Sequence, residues 1–137
     1  LAASGGYLYN QEIGYDEDGS AMTSYIESAP VDMGDGDKFS FIKRIIPDVT
    51  FNGSTNTNPS LSFIIKSRNF PGASFSTEPN GSGSAVRTST SPVETFTEKL
   101  DVRVRGRSFA LRIESSDLGS KWKLGSPRID IREDGRR

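Results

Sequence analysis

The chain contains no histidine and no cysteine. Without imidazole or thiol there is no neutral-pH proton shuttle of the usual kind, no thiolate nucleophile, no soft zinc ligand and no disulfide. The sequence therefore reads as non-enzymatic, with no cofactor or metal, and its stability has to come from packing or from neighbours. Lack of cysteine fits either redox compartment and does not place the protein. No apolar run approaches the roughly 18 residues of a membrane span, and Leu1-Ala2-Ala3-Ser4-Gly5-Gly6 has neither a basic nor an apolar leader region, so no membrane anchor or signal peptide is expected. Starting at Leu1, the chain reads as a domain or the ordered part of a longer protein.

What is present is turn chemistry and short alternating runs. With 137 residues, 14 of them Gly and 7 Pro among many Ser, Thr and Asn, one compact domain of short strands is expected, with helix in the minority. Residues 7–13 read as a first strand ending at Gly14, before an acidic hairpin turn at Asp16-Glu17-Asp18-Gly19. Residues 22–33 read as extended chain interrupted by Pro30, followed by a second acidic turn at Gly34-Asp35-Gly36-Asp37. Phe39 and Phe41 open a strand that bends at Ile45-Ile46-Pro47, and Val49 and Phe51 resume it. Leu61, Phe63 and Ile65 define another strand, closed by a turn at 69–72.

Residues 73–92 offer almost nothing to bury. They are expected to form a long exposed loop, with a weak edge strand around 85–88. Phe96, Leu100, Val102 and Val104 alternate with Thr97, Lys99, Asp101, Arg103 and Arg105, and beyond Gly106 the residues Phe109, Leu111 and Ile113 alternate with Ala110, Arg112 and Glu114. These two segments are expected to pair across a bulge or tight turn at Gly106 and to form the centre of a sheet. Trp122 and Leu124, then Ile129 and Ile131, give the last strands. The expectation is an all-β protein: an antiparallel two-sheet β-sandwich of about eight strands with long loops.

Charge is the strongest chemical signal. Net charge is −1, but residues 1–68 carry −4 and residues 69–137 carry +3, an asymmetry that favours head-to-tail contact between copies. Arg103, Arg105, Arg107, Arg112, Arg128 and Arg132 supply guanidinium forks suited to carboxylates or phosphates. Asp101, Glu114, Asp130 and Glu133 lie among them, so protein contacts or internal ion pairs outweigh nucleic acid. The acidic turns complete no calcium loop, and no carboxylate pair is flanked by aromatics that would hold a sugar. Trp122 is a candidate sugar platform, with a core or interface anchor the stronger reading.

Certain motifs resemble a known family. Arg103-Val104-Arg105-Gly106-Arg107, Leu111-Arg112-Ile113-Glu114, Trp122-Lys123-Leu124-Gly125 and the stretch from Arg128 to Arg137 resemble the C-terminal portion of tail nozzle, or packaged-DNA stabilisation, proteins of short-tailed bacteriophages. Upstream, Glu12-Ile13-Gly14 with Asp18-Gly19, Tyr25-Ile26-Glu27-Ser28 and Ile45-Ile46-Pro47-Asp48 are similar to the same pattern. The resemblance implies a part of a hexameric β-rich tube below the portal and adaptor proteins, located in the virion tail and in passing contact with DNA during genome ejection. Family members are several times longer than 137 residues, so this chain would be one module of such a protein. On that reading the arginines grip the acidic turns of a neighbouring copy, and Arg105→Glu or Arg107→Glu is expected to weaken assembly while sparing the fold. The alternatives are a carbohydrate- or receptor-binding sandwich using the 73–92 loop and Trp122, and a small carboxylate-dependent hydrolase.

Overall fold

A computed structural model describes residues 2–10, 13–75 and 87–136. Among these residues there is no helix, and the strands are β1 (Ala2–Ser4), β2 (Tyr7–Tyr9), β3 (Asp16–Glu17), β4 (Ser20–Ala21), β5 (Ser24–Glu27), β6 (Val31–Asp32), β7 (Ser40–Ile46), β8 (Val49–Thr50), β9 (Ser60–Arg68), β10 (Thr88–Glu94), β11 (Leu100–Gly106), β12 (Ser108–Ser115), β13 (Lys123–Leu124) and β14 (Arg128–Glu133). All pairings are antiparallel. One sheet runs β10-β9-β12 and is completed by β5 and β6, which take successive stretches of the β12 edge on either side of Pro30. The facing sheet runs β11-β7-β14. The fold is all-β, as expected from the strand-and-turn composition.

Alternation builds the core. Leu61, Phe63 and Ile65 of β9, Phe109 and Ile113 of β12, and Leu100, Val102 and Val104 of β11 turn their side chains into the space between the sheets. Each such side chain contributes roughly 1.5–3 kcal/mol on removal from water. In β7 the buried residues Ile42 and Ile45 stand three apart. The register explains why: Ile42 pairs with Ile131 and Arg44 with Asp130, so Lys43 is an extra residue against β14. The bulge turns Lys43 and Arg44 both outward and lets Ile45 return to the core.

Three expectations are corrected. First, β11 and β12 are not partners: β11 pairs with β7 and β12 with β9, and residues 106–107 form a corner between the sheets. Gly106 sits so close to β9 that an added Cβ would lie 3.0 Å from the Arg68 carbonyl oxygen and 3.0 Å from Ser67 Cβ. The Arg107 amide then donates to that same carbonyl at 3.0 Å. Second, Thr88–Glu94 is a seven-residue strand along β9, where residues 73–92 read as a loop. It is a sheet edge burying only Val93, which is why it carries no apolar alternation and tolerates Pro92. The remainder of that loop reading, over residues 76–86, lies outside the described residues, as does Glu12. Third, Phe96 is 77% exposed, because the chain turns there, with the Thr97 amide donating to the Glu94 carbonyl, before β11 begins.

The acidic turns form as read. Asp18 (φ 46°) and Gly19 (φ 80°) are the two left-handed residues of a tight hairpin between β3 and β4, the geometry that matches strand twist. Asp16 anchors this hairpin by accepting a hydrogen bond from the Gly119 amide at 2.6 Å. The β1–β2 hairpin precedes it and leaves Tyr7 and Leu8 exposed.

Candidate interaction surfaces

The arginines singled out in the sequence divide into two groups. Arg105 and Arg107, two apart on the same side of the chain, hold Phe39 under their guanidinium groups, at 3.9 and 4.5 Å from its ring centroid. Arg105 Nε pairs with the Asp134 carboxylate, and its Nη2 donates to the Asp134 carbonyl at 3.2 Å. Arg107 Nη2 donates to the Arg136 carbonyl at 2.8 Å. Backbone bonds close the arrangement: the Phe39 amide donates to the Gly135 carbonyl at 2.7 Å, and the Asp134 amide to the Phe39 carbonyl at 2.8 Å. The Arg-Gly-Arg motif is thus a clasp that fastens the C-terminal segment over Phe39. Charge reversal at Arg105 or Arg107, expected from the sequence to spare the fold, would on this geometry also release the C-terminal segment.

Arg112 lies on the other side of the sandwich from Arg103, on the outer face of the β9–β12 sheet. Its Nε donates to Glu114 at 2.7 Å and its Nη1 to Glu27 at 3.0 Å, while Lys66 Nζ donates to Glu27 at 2.8 Å. The guanidinium stacks 3.8 Å from the Tyr25 ring centroid. The Lys66 hydrogen bond, joined by Arg112 and opposed by partial burial, holds the Glu27 carboxyl below the usual carboxylate range. This network ties β5 to β12 and β9 within the molecule. Trp122 is likewise engaged internally: it packs against the core, and its indole N–H donates to Ser24 Oγ at 3.0 Å.

Arg103, Arg128 and Arg132 differ from these. They are exposed, and among the described residues they form no ion pair or hydrogen bond. Register places them on one surface, the outer face of the β11-β7-β14 sheet: Arg105 and Arg132 flank Phe41, and Arg128 stands opposite Ile46. The bulge adds Lys43 and Arg44 to the same face. Asp101 and Asp130 flank Arg44 in the next row, so acid interrupts the basic field. Among the described residues Asp130 is itself unpaired on this face, and further unpaired carboxylates stand at the two ends of the sandwich. Glu17 and Asp18 tip the β3–β4 hairpin at the Gly119 end of the sandwich, and Asp35 and Asp37 tip the loop near Glu133 and Arg136 at the opposite end. Among the described residues no cluster of three or more acidic side chains is arranged to hold a metal.

One surface gave no sign in the sequence. On the side of the sandwich bounded by β5, β6 and β14, the sheets do not close, and a cleft of about 230 Å³ opens between them, lined by Val31, Met33, Ile65, Leu111, Ile129 and Ile131. Ile26 and Val31 pair with the core residues Ile113 and Phe109 and so belong to the inner face, yet they are 53% and 50% exposed. Ile129, opposite the fully buried Ile45, is 38% exposed. Alternation identified Ile129 and Ile131 as inward-facing, but whether a second sheet covers an inward face depends on where the strands end.

No protein-family model and no curated protein sequence matches the chain.

Proposed function

We propose that the chain is a non-enzymatic structural module of a short-tailed bacteriophage tail. It assembles into a ring through contacts between copies and with adjoining tail or adaptor proteins. The observation that carries the assembly reading is the segregation of uncompensated charge: Arg103, Arg128, Arg132 and Lys43 on one sheet face, Glu17, Asp18, Asp35 and Asp37 at the two ends. A contact between the face of one copy and the end of the next is heterologous, and heterologous contacts of suitable rotation close into rings. Asp101 and Asp130 within the basic face favour a protein partner over a phosphate backbone, which rewards uninterrupted positive charge.

The tail assignment itself rests on the motif resemblance. Its Arg-Gly-Arg and Asp-Gly-Arg elements are the two halves of one clasp around Phe39, so their co-occurrence has a physical reason within a single module. The carbohydrate-binding alternative loses its proposed platform, because Trp122 is held against the core and by Ser24. Gold-labelled antibody against the chain, applied to purified particles, tests the assignment. Label confined to the tail axis below the head supports it; label on the head shell, or particles lacking the chain, overturns it.

A further inference from the structure

We infer that the free edge of β14 is a self-complementary docking strand, on which two copies pair antiparallel about a two-fold axis. This contact goes beyond the ring-forming face and uses the edge of β14, sharing Arg132 with that face. Each sheet of a sandwich ends in an edge strand with unpaired amides and carbonyls, and such edges are templates for another strand. On the β11 side the edge is occupied: β10 packs against β11, and Arg87 Nη1 donates to the Arg105 carbonyl at 3.1 Å. On the β14 side the described residues place no strand beyond β14, and the apolar cleft opens beneath it.

The occupant follows from the sequence of the strand. When β14 is laid antiparallel against itself with Ile131 opposite Ile131 of the second copy, Asp130 falls opposite Arg132 and Arg132 opposite Asp130. Both of those side chains lie on the outer face, exposed, and neither has an ion-pair or hydrogen-bond partner among the described residues. Directly opposed residues of an antiparallel pair bring their Cβ atoms to about 4.5–5.5 Å, within reach of ion pairing. Shifting the register by one residue toward the N-terminus sets Asp130 against Asp130 and Arg128 against Arg132, which repels. Centring the pair on Ile129 would also set Arg128 against Asp130, but it places Ile131 opposite Pro127 and Arg132 opposite Ser126, both outside the strand, so charge and strand length together favour the Ile131 register. On the inner face that register joins the two Ile131 side chains and sets the two clefts side by side, so that Ile131 and the half-exposed Val31 border a shared apolar space, with Glu133 of the second copy at its rim opposite Ile129. The result is a six-stranded sheet, β11-β7-β14 continued through the second copy, with a charged outer surface and a shared apolar interior.

The absence of native cysteine makes the register directly testable. Ile131→Cys, in the full chain under mild oxidation, is expected to yield a disulfide-linked dimer on a non-reducing gel. Ile129→Cys, whose site falls opposite Glu133 of the second copy, is expected to stay monomeric on that gel. A second measurement does not depend on the cleft tolerating cysteine. Arg132→Asp should weaken dimerisation in sedimentation equilibrium by at least about tenfold, and Arg132→Asp combined with Asp130→Arg should restore it, because the exchanged charges still face one another. Equal cross-linking at positions 129 and 131, a monomeric wild-type chain, or a double variant no tighter than the single one would overturn the inference. A monomeric wild-type chain would count against the proposed ring as well, whereas the cross-linking outcomes at positions 129 and 131 bear on the β14 contact alone and leave the tail assignment to the labelling experiment.

Discussion

The guanidinium of Arg105 lies 3.9 Å from the centre of the Phe39 ring while its Nε is paired with the Asp134 carboxylate. One side chain therefore joins the end of β11, the entry to β7 and the C-terminal segment. A cation over an aromatic face contributes about 0.5–2 kcal/mol, more as water is excluded, and a charge-assisted hydrogen bond contributes comparably. Phe39 is 8% exposed largely because two arginines cover it. Arg105→Ala is expected to destabilise the chain by about 1–3 kcal/mol and Phe39→Ala by about 3–5 kcal/mol. Urea unfolding followed by the fluorescence of the single tryptophan measures both. An Arg105→Ala midpoint equal to wild type would mean that the clasp contributes nothing to stability.

The corner between the sheets depends on the absence of a side chain at position 106. An alanine there would press on the Arg68 carbonyl and on Ser67, both fixed by the β9–β12 pairing. Overpacking of this kind costs about 1–3 kcal/mol, so Gly106→Ala should lower the thermal midpoint measurably while leaving the β content of the far-ultraviolet spectrum intact.

Acid should loosen the β5 edge. The Glu27 carboxyl is held below its ordinary range, chiefly by the Lys66 hydrogen bond and also by Arg112. A depressed carboxyl stabilises the fold at pH above the unfolded-state value of about 4.3, and that stabilisation is lost as pH falls through the lower folded value. Stability should therefore decline below about pH 4.5, and Glu27→Gln should remove part of this decline and cost about 1 kcal/mol at neutral pH, the group being partly exposed. Denaturation midpoints measured from pH 3 to 7 on the two proteins check this; parallel curves would exclude Glu27 as a contributor.

Trp122 is expected to behave as an anchor. Trp122→Phe keeps most of the apolar contact but leaves Ser24 Oγ without its donor, at a cost of about 0.5–1.5 kcal/mol. Chemical denaturation followed by circular dichroism reads the loss, since this variant has no tryptophan fluorescence.

Much of the fold was legible because period-2 alternation states which side chains face inward. Val102 and Val104, Phe109 and Ile113, and Leu61, Phe63 and Ile65 are buried as their spacing indicates. Alternation does not state which strand lies alongside. β11 and β12 are consecutive and both strongly patterned, yet a glycine at the corner sends them to different sheets. β10 reads in the sequence only as a weak edge strand around 85–88, short of its full extent over Thr88–Glu94, because an edge strand that buries one valine carries little apolar periodicity. Of the candidate arginines, the sequence could tell which side of a strand each occupies but not which distant carboxylate reaches it. Asp134 reaches Arg105 and Glu27 reaches Arg112, whereas Arg103, Arg128 and Arg132 meet none among the described residues. The open cleft was illegible because its walls are ordinary core residues, and only the ends of β5, β6 and β14 leave them uncovered.

The claim that the chain works by assembly through separated charges is tested most directly by its mass in solution across salt concentration. Sedimentation equilibrium of the wild-type chain should reveal a closed oligomer at low ionic strength that dissociates as salt is raised, since exposed charges are screened over about 8–10 Å near physiological salt. The variant Lys43→Glu/Arg103→Glu, which reverses two of the four unpaired cations of the basic face without touching the clasp or the β14 edge, should lose that oligomer and retain the wild-type unfolding midpoint. A wild-type chain that stays monomeric at every salt concentration, or a face-reversed variant that assembles as wild type does, would contradict the account.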